Sequence, residues 1–220
     1  MPDSLDIIWD LDGVLSDFTL GFKNFVRRFY GIPLATCGGK KSWQFRHLAS
    51  AEEDDIWRRI AKGEYDWSEQ VSLLTPSDHI AIAHLRATQA GLPVRFQYVT
   101  SRLGPEEQVR EQSIRWLRDT GLPDYGNVTV TNDKVPVVKS QFPFVGGLID
   151  DDIRNVAAYR DAFNPDIVFL RDWQYNRETE VAAVYGVSAV HGAALCARRV
   201  SSISEFCYAV LERIDGVDRG

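Results

Sequence analysis

The feature that most constrains the fold is a regular alternation of apolar runs and amphipathic stretches from residue 77 to about residue 170. The runs PVRFQYVTS, NVTVT, FVGGLID and DIVFL have the length and composition of buried strands. The stretches between them carry helix start and stop signals, such as Pro105 before one and Gly121 after it. Alternation of this kind is typical of a parallel sheet covered by helices. The sequence therefore predicts an α/β fold.

The N-terminal run LDIIW, residues 5–9, predicts one more buried strand, which ends at Asp10. Residues 17–76 then interrupt the alternation, because they are rich in tryptophan and include the helix-like stretch FTLGFKNFVRRFYG, which Gly31 should end. We interpret residues 17–76 as a small, mainly helical insertion. Residues 1–16 and 77–220 would then form the α/β core.

Helix-end signals give finer expectations. The helix that begins near residue 77 should be capped by Ser77 or Asp78, and Gly91 should end it. Pro105 should be the first residue of the following helix. Ser202 and Glu205 should form a capping box at the start of the last one.

Composition excludes several classes of protein. A net charge of −6 and a pI near 5.3 argue against a binder of nucleic-acid backbones, so we expect no stable nucleic-acid complex. The cysteines Cys37, Cys196 and Cys207 are too scattered for a disulfide framework or a zinc site. No signal peptide and no run of membrane-spanning length is evident. We therefore expect a cytoplasmic protein without a membrane partner, and the sequence leaves a homodimer open.

The ends of the predicted strands carry the polar residues on which chemistry depends. Ligands of open parallel sheets bind at the carboxyl ends of the strands. The four strand ends are followed by Asp10 and Asp12, by Thr100, Ser101 and Arg102, by Asn132, Asp133 and Lys134, and by Asp150, Asp151 and Asp152. Crowded carboxylates repel one another, and a divalent cation relieves the repulsion. Oxygen ligands suit Mg²⁺, whereas a lysine and hydroxyls suit a phosphoryl group.

Four motifs resemble, in order, those of the haloacid dehalogenase superfamily: DLDGVLSDF, YVTSR, NDKVPVV and GGLIDDD. The resemblance implies a Rossmann-like parallel sheet with a cap inserted after the first strand. It also implies a magnesium-dependent phosphatase that works through an aspartyl phosphate. The implied roles are nucleophile for Asp10, general acid and base for Asp12, phosphate binding for Thr100, Ser101 and Lys134, and Mg²⁺ binding for Asp10, Asp12 through its backbone carbonyl, Asp150 and Asp151. Lys139 is a rival for Lys134, which we prefer because it directly follows a strand.

The stretches DLDGVLSDF, IDD and VFLRDWQYNRE further resemble the 5′(3′)-deoxyribonucleotidase group. This likeness implies a nucleoside (deoxy)monophosphate as substrate and cap aromatics that stack on its base, for which Phe18, Trp43 and Phe45 are the candidates. Asp152 departs from the group's pattern, because relatives commonly have arginine there. Tyr175 and Asn176 occupy the place of a pair that is frequent in the group.

Three other functions remain open at this stage. The substrate could be another small phosphate ester. It could also be the 3′ end of a nucleic acid, although the acidic balance and the insertion disfavour an open basic groove. A non-catalytic nucleotide-binding or regulatory module is disfavoured by the intact pair Asp10 and Asp12.

Overall fold

A computed structural model describes residues 4–32, 50–88, 93–173, 176 and 198–217. Its strands run over Leu5–Trp9 (β1), Ser16–Asp17 (β2), Val71–Ser72 (β3), Val94–Thr100 (β4), Val128–Val130 (β5), Val145–Asp150 (β6), Val168–Arg171 (β7) and Arg198–Val200 (β8). Its helices run over Phe18–Tyr30 (α1), Ser50–Ala61 (α2), Pro76–Ala87 (α3), Glu106–Asp119 (α4), Lys134–Gln141 (α5), Ile153–Ala162 (α6) and Ile203–Val217 (α7). No helix in these ranges is both long and apolar enough to cross a bilayer.

Six strands form one parallel sheet in the order β5-β4-β1-β6-β7-β8. β1 lies between β4 and β6, with Trp9 opposite Tyr98 on one side and opposite Ile149 on the other. From β1 the chain adds β4 and β5 on one side. It then crosses back over β1 and adds β6, β7 and β8 on the other side. This reversal is the place at which doubly wound sheets bind ligands. The predicted α/β fold is confirmed, and β8 is a further strand that the sequence pattern did not predict.

Helices cover both faces of the sheet, as the long apolar strands require. Ile7 and Trp9 of β1 pack on one face with side chains of α3, α4 and α7. Ile8, which points to the opposite face, packs with Val138 of α5 and Val156 of α6. Because successive side chains of β1 point to opposite faces of the sheet, they belong to two separate apolar layers.

The segment between β1 and β4 forms a further apolar cluster, to which Val109 of α4 also belongs. The pair β2 and β3 joins the beginning of this segment to its end as a short antiparallel ribbon. Helix α1 starts where the Asp17 carboxylate accepts a hydrogen bond from the N–H of Leu20, and it ends at Gly31, which has φ 66° as a left-handed cap requires. One face of α1 packs against α2 and a 3-10 turn at Trp67–Glu69. The cluster consists of Phe18, Phe22, Phe25, Val26, Ile56, Ile60, Tyr65, Trp67 and Val109.

The finer expectations about helix ends were partly wrong. Thr75, rather than Ser77 or Asp78, caps α3; Asp78 instead completes the capping box by accepting from Thr75. Pro at the first helical position, here Pro76, shifts the cap to the residue before it. Pro105 occupies the cap position of α4. Gly91 lies outside the described residues.

The predicted capping box of α7 is also only half formed. The Ser202 hydroxyl accepts from the N–H of Glu205 at 3.1 Å, as expected. The Glu205 carboxylate, however, accepts from the N–H and hydroxyl of Ser201. The Glu205 carboxylate therefore accepts from the N–H of Ser201 instead of the N–H of Ser202, which the capping box requires.

Candidate active site

The carboxyl ends of β1, β4 and β6 and the start of α5 meet at one edge of the sheet. They line a cavity of about 530 Å³, to which the segment between β1 and β4 also contributes side chains. These strand ends and α5 contribute Asp10, Asp12, Thr100, Ser101, Lys134 and Asp151 to its lining. Asp150, the remaining sequence-predicted residue of the core, contacts Lys134 but does not line the cavity.

Lys134 bridges two of the acids. Its Nζ lies 2.8 Å from Oδ1 of Asp10 and 2.8 Å from Oδ2 of Asp150, and all three side chains are less than a tenth exposed. The position of Lys134 at the first turn of α5 aims its side chain along the sheet edge. Lys139, one to two turns further along α5, is exposed. The geometry therefore favours Lys134 over Lys139 as the lysine of the site.

Burial and charge act in opposite directions on this pair. Burial raises the pKa of Asp10 well above its ordinary value, Asp150 and Asp151 add to the rise, and the charge of Lys134 offsets only part of it. Burial alone would lower the pKa of Lys134, but the charges of Asp10 and Asp150 outweigh it and hold that pKa above its usual range. Lys134 is consequently a permanent cation within a cluster of acids.

Three buried carboxylates could hold a metal ion. One oxygen each from Asp10, Asp150 and Asp151 lie within 4.8 Å of one another. With all groups ionised, these acids and Lys134 would carry two net negative charges, which one divalent cation would neutralise. Oxygen-only ligands of this kind suit Mg²⁺. The donor set therefore fits a divalent cation.

A backbone N–H and a side-chain amide hold the carboxylate of Asp150 at the end of β6. Oδ1 of Asp150 accepts from the N–H of Asp152 at 2.8 Å, and Oδ2 accepts from Nδ2 of Asn155 at 3.1 Å. Asp152 itself caps α6 and pairs with Arg154 at the cavity rim. The acid that departs from the nucleotidase pattern thus has a helix-capping role here.

Asp12 lies in a different environment from Asp10. Arg102 donates to both of its carboxylate oxygens, from Nε at 3.0 Å and from Nη2 at 2.9 Å, and the hydroxyl of Ser16 donates to Oδ1 at 2.8 Å. The Asp12 carboxylate is not one of the three clustered acids. A metal-ligand role for its backbone carbonyl stays a prediction.

The hydroxyl residues of β4 also line the cavity. Thr100 is buried at the strand end, where its carbonyl accepts from the N–H of Thr131. Ser101 follows it and is exposed. Asn132 lies on the same wall, in the loop before Lys134. Thr100 and Ser101 thus share the cavity with Asp10, and their role in phosphate binding stays a prediction.

An aromatic wall faces the acids. Phe18, 5% exposed, stacks with Trp57 and with Trp67, at ring-centroid distances of 6.2 and 5.7 Å and interplanar angles of 21°. All three line the cavity. Because Phe18 is buried, the partly exposed Trp57 offers the more accessible ring. Trp43 and Phe45, the other predicted contacts, lie outside the described residues.

Residues late in the chain brace the acidic loops. Nε1 of Trp173 donates to the carbonyl of Gly13 at 2.5 Å, directly behind Asp12. Buried Asn176 donates to the carbonyls of Asp151 and Arg171 at 2.9 and 2.7 Å. Asn176 therefore ties the late loop to the end of β6, while its neighbour Tyr175 lies outside the described residues.

No protein-family model and no curated protein matches the chain. Among solved structures, it is similar to a protein from Burkholderia xenovorans LB400 that is named as a haloacid dehalogenase-like hydrolase. The TM-score is 0.53 and the sequence identity 13%, over 94% of this chain and 98% of that one. The chain has the haloacid dehalogenase-like fold. A likeness at this identity bears on the fold alone, so the nucleotidase subgroup stays a prediction.

Sequence reasoning assigned no role to three residues that shape the site. Arg102 was noted at the end of its strand, directly after Thr100 and Ser101, but its partner Asp12 is 90 positions away. Trp57 and Trp67 lie in the less regular segment, where no spacing pattern sets them apart from core residues. Arginine at a strand end beside candidate hydroxyls was the available signal for Arg102.

Proposed function

We propose that this protein is a magnesium-dependent phosphomonoesterase of the haloacid dehalogenase type that acts on nucleoside (deoxy)monophosphates. One observation carries the proposal. Buried Asp10 and Asp151, the bridging Lys134 and the strand-end Thr100 line the same cavity, at the switch point of a parallel sheet, and Asp150 joins the two acids in one cluster. An anion-binding group beside a cation-binding group is what a phosphoryl group requires.

Asp10 and Asp12 have different roles in the proposed reaction. A carboxylate oxygen of Asp10 attacks phosphorus, the bond from phosphorus to the ester oxygen breaks, and Asp12 gives its proton to the leaving oxygen. Water then attacks the aspartyl phosphate, Asp12 takes a proton from that water, and inorganic phosphate leaves with Asp10 regenerated. Asp12 therefore enters the reaction protonated, is ionised in the aspartyl-phosphate state, and is protonated again when water is cleaved.

Other residues bind and orient the phosphoryl group. Lys134 is a fixed cation beside Asp10, so its ammonium attracts phosphate oxygens close to the attacking carboxylate. The hydroxyls of Thr100 and Ser101 supply further donors from the neighbouring strand end. Mg²⁺, held by Asp10, Asp150 and Asp151, would supply charge neutralisation of the phosphoryl oxygens.

The aromatic wall and the volume of the cavity support the substrate class. A cavity of about 530 Å³ is within the usual range for small-molecule sites. Trp57 presents an aromatic surface across from the acids, and stacking on such a surface contributes about 1–3 kcal/mol per base. In this proposal the segment of residues 17–76 is the cap that covers the substrate and excludes water.

Phosphate release from a panel of nucleoside 5′- and 3′-monophosphates and sugar phosphates, with Mg²⁺ or with EDTA, tests the proposal. We expect magnesium-dependent release that is fastest with nucleotides, and loss of release in Asp10→Asn. Activity on sugar phosphates alone would overturn the substrate class but not the phosphatase. Absence of turnover on every ester, or full activity in Asp10→Asn, would overturn the enzyme and leave a binding module.

A further inference from the structure

Arg102 is a buried cation to which the proposed reaction assigns no role. It follows Thr100 and Ser101 at the end of β4, and its side chain has no exposed surface. Arginine stays protonated in proteins, so its charge must be compensated where it is buried. An isolated buried guanidinium would be a large cost to folding, which raises the question of what it does here.

The donors of Arg102 are used in a fixed pattern. Nε and Nη2 form a two-pronged contact with Asp12, at 3.0 and 2.9 Å. Nη2 also donates to the hydroxyl of Ser16 at 3.2 Å, and Nη1 donates to that of Ser113 at 2.9 Å. The guanidinium carbon lies 4.9 Å from the centre of the Trp67 ring. Hydrogen bonds and an aromatic face thus hold the guanidinium at several points.

The same contacts hold Asp12. Its Oδ1 accepts from Arg102 and Ser16, and its Oδ2, within the described part of the chain, accepts from Arg102 alone. An ionised carboxylate has about four acceptor positions, so Oδ2 keeps capacity for a further partner. Both residues line the cavity, but the Asp12 side chain is 16% exposed, whereas that of Arg102 has no exposed surface. Arg102 therefore fixes the rotamer of Asp12 while one oxygen stays available.

We propose that Arg102 is the positioning residue for the general acid and base Asp12. This inference rests on the proposed phosphatase activity. A general acid must stand within hydrogen-bond reach of the leaving oxygen, and an error of about 1 Å can cost about 10²-fold in rate. The two-pronged contact sets that position, and Trp67 from the segment between β1 and β4 covers it. Lysine could not reproduce the fork, because its ammonium is a single point of charge.

A pair of aryl esters separates positioning of the acid from damage to the site. Phenyl phosphate and p-nitrophenyl phosphate have almost the same shape, but nitrophenolate leaves readily without a proton. We expect Arg102→Met to lower kcat/KM for phenyl phosphate by about 10²-fold, and to lower it much less for the nitrophenyl ester. Asp12→Asn should show the same selectivity, with a loss of about 10²–10⁴-fold on phenyl phosphate.

A double-mutant cycle supplies the second readout. If Arg102 acts only through Asp12, the double variant Asp12→Asn, Arg102→Met should be no slower than Asp12→Asn alone. Arg102→Lys should recover only part of the activity. Arg86→Met, which removes an arginine from a carboxylate pair with Asp124 outside the cavity, is the matched control and should keep the ratio of the two esters.

The outcomes decide between this inference and the proposed function. Equal losses on both esters, or losses in the double variant that multiply, would overturn the positioning role while Asp10→Asn stays inactive. An active Asp10→Asn variant or an inactive wild type would overturn both. If Arg102→Met does not fold by circular dichroism, Arg102→Lys carries the same test. If the wild type does not hydrolyse aryl esters, the double-mutant cycle is measured with the nucleotide that it hydrolyses fastest. The positioning role then requires that the effects of the Asp12 and Arg102 substitutions are not additive.

Discussion

Nζ of Lys134 lies 2.8 Å from Oδ1 of Asp10, with both side chains buried at the end of β1. The contact joins the proposed nucleophile to a cation whose charge the neighbouring acids stabilise. The charge of Lys134 also offsets part of the cost of placing these carboxylates together. In the proposed function the lysine has two tasks, one in substrate binding and one in stability.

Lys134→Met should impair both tasks. We expect loss of phosphate release and a fall of about 3–5 kcal/mol in the free energy of unfolding, because buried carboxylates lose their partner. Urea denaturation and the nucleotide assay measure the two effects. Lys139→Met, on the exposed side of the same helix, should change stability by less than about 0.5 kcal/mol and keep the activity. Equal behaviour of the two variants would contradict the assignment of Lys134.

Mg²⁺ should stabilise the folded protein without any substrate. A ligand that binds only the folded state adds about 2.7 kcal/mol at a hundred times its dissociation constant, so the melting temperature should rise with the concentration of Mg²⁺. Asp150→Asn removes a carboxylate from the cluster and should abolish most of this rise. Asp161→Asn, an exposed acid on α6, is the control. A rise that persists in Asp150→Asn would place the cation elsewhere.

The sequence located the acids and Lys134 because each follows a strand of one parallel sheet. Strand ends in such a sheet share an edge, so residues far apart in the chain could be placed together without any contact being known. The same reasoning preferred Lys134 over Lys139. The periodicity of the strands, together with the edge that their carboxyl ends share, was sufficient to predict this part of the site.

The rest depended on contacts that no local pattern encodes. Arg102 and Asp12 belong to different strand ends, and only the side-chain geometry joins them. Trp57 and Trp67 meet Phe18 through the packing of α1, α2 and a 3-10 turn, a tertiary arrangement without a regular period. The strand β8, with the sequence RRV, begins with two arginines and therefore lacks the apolar run that marks the other strands of the sheet.

Trp57→Ala should weaken nucleotide binding more than turnover. Trp57 lines the cavity and stacks with Phe18. Loss of one stacking partner worth about 1–3 kcal/mol predicts a rise in KM of about 5- to 150-fold with kcat little changed. Phe29→Ala removes an exposed ring from α1, outside the cavity, and should leave KM unaltered. An unchanged KM for Trp57→Ala would exclude stacking on this ring.

Asp78 should make stability depend on pH in the acid range. Burial alone would raise the pKa of Asp78, but hydrogen bonds from Thr75 and Ser204 outweigh it and hold that pKa below its ordinary value. One oxygen accepts from Thr75 at the start of α3, and the other accepts from the N–H and hydroxyl of Ser204 at 2.7 Å, at the start of α7. The carboxylate thus joins two helices.

Because the folded pKa of Asp78 is depressed, its contribution is fully present above the unfolded pKa of about 3.9 and is lost as the pH falls through the folded value. Asp78→Ala should lower the free energy of unfolding by about 1–3 kcal/mol at pH 7. Its deficit relative to the wild type should shrink below about pH 4. Asp78→Asn keeps one acceptor and should lie between the two at pH 7. Urea denaturation from pH 7 to pH 3 measures the effect, and a deficit of Asp78→Ala that stays constant over this range would show that the ionised carboxylate does not stabilise the helix junction.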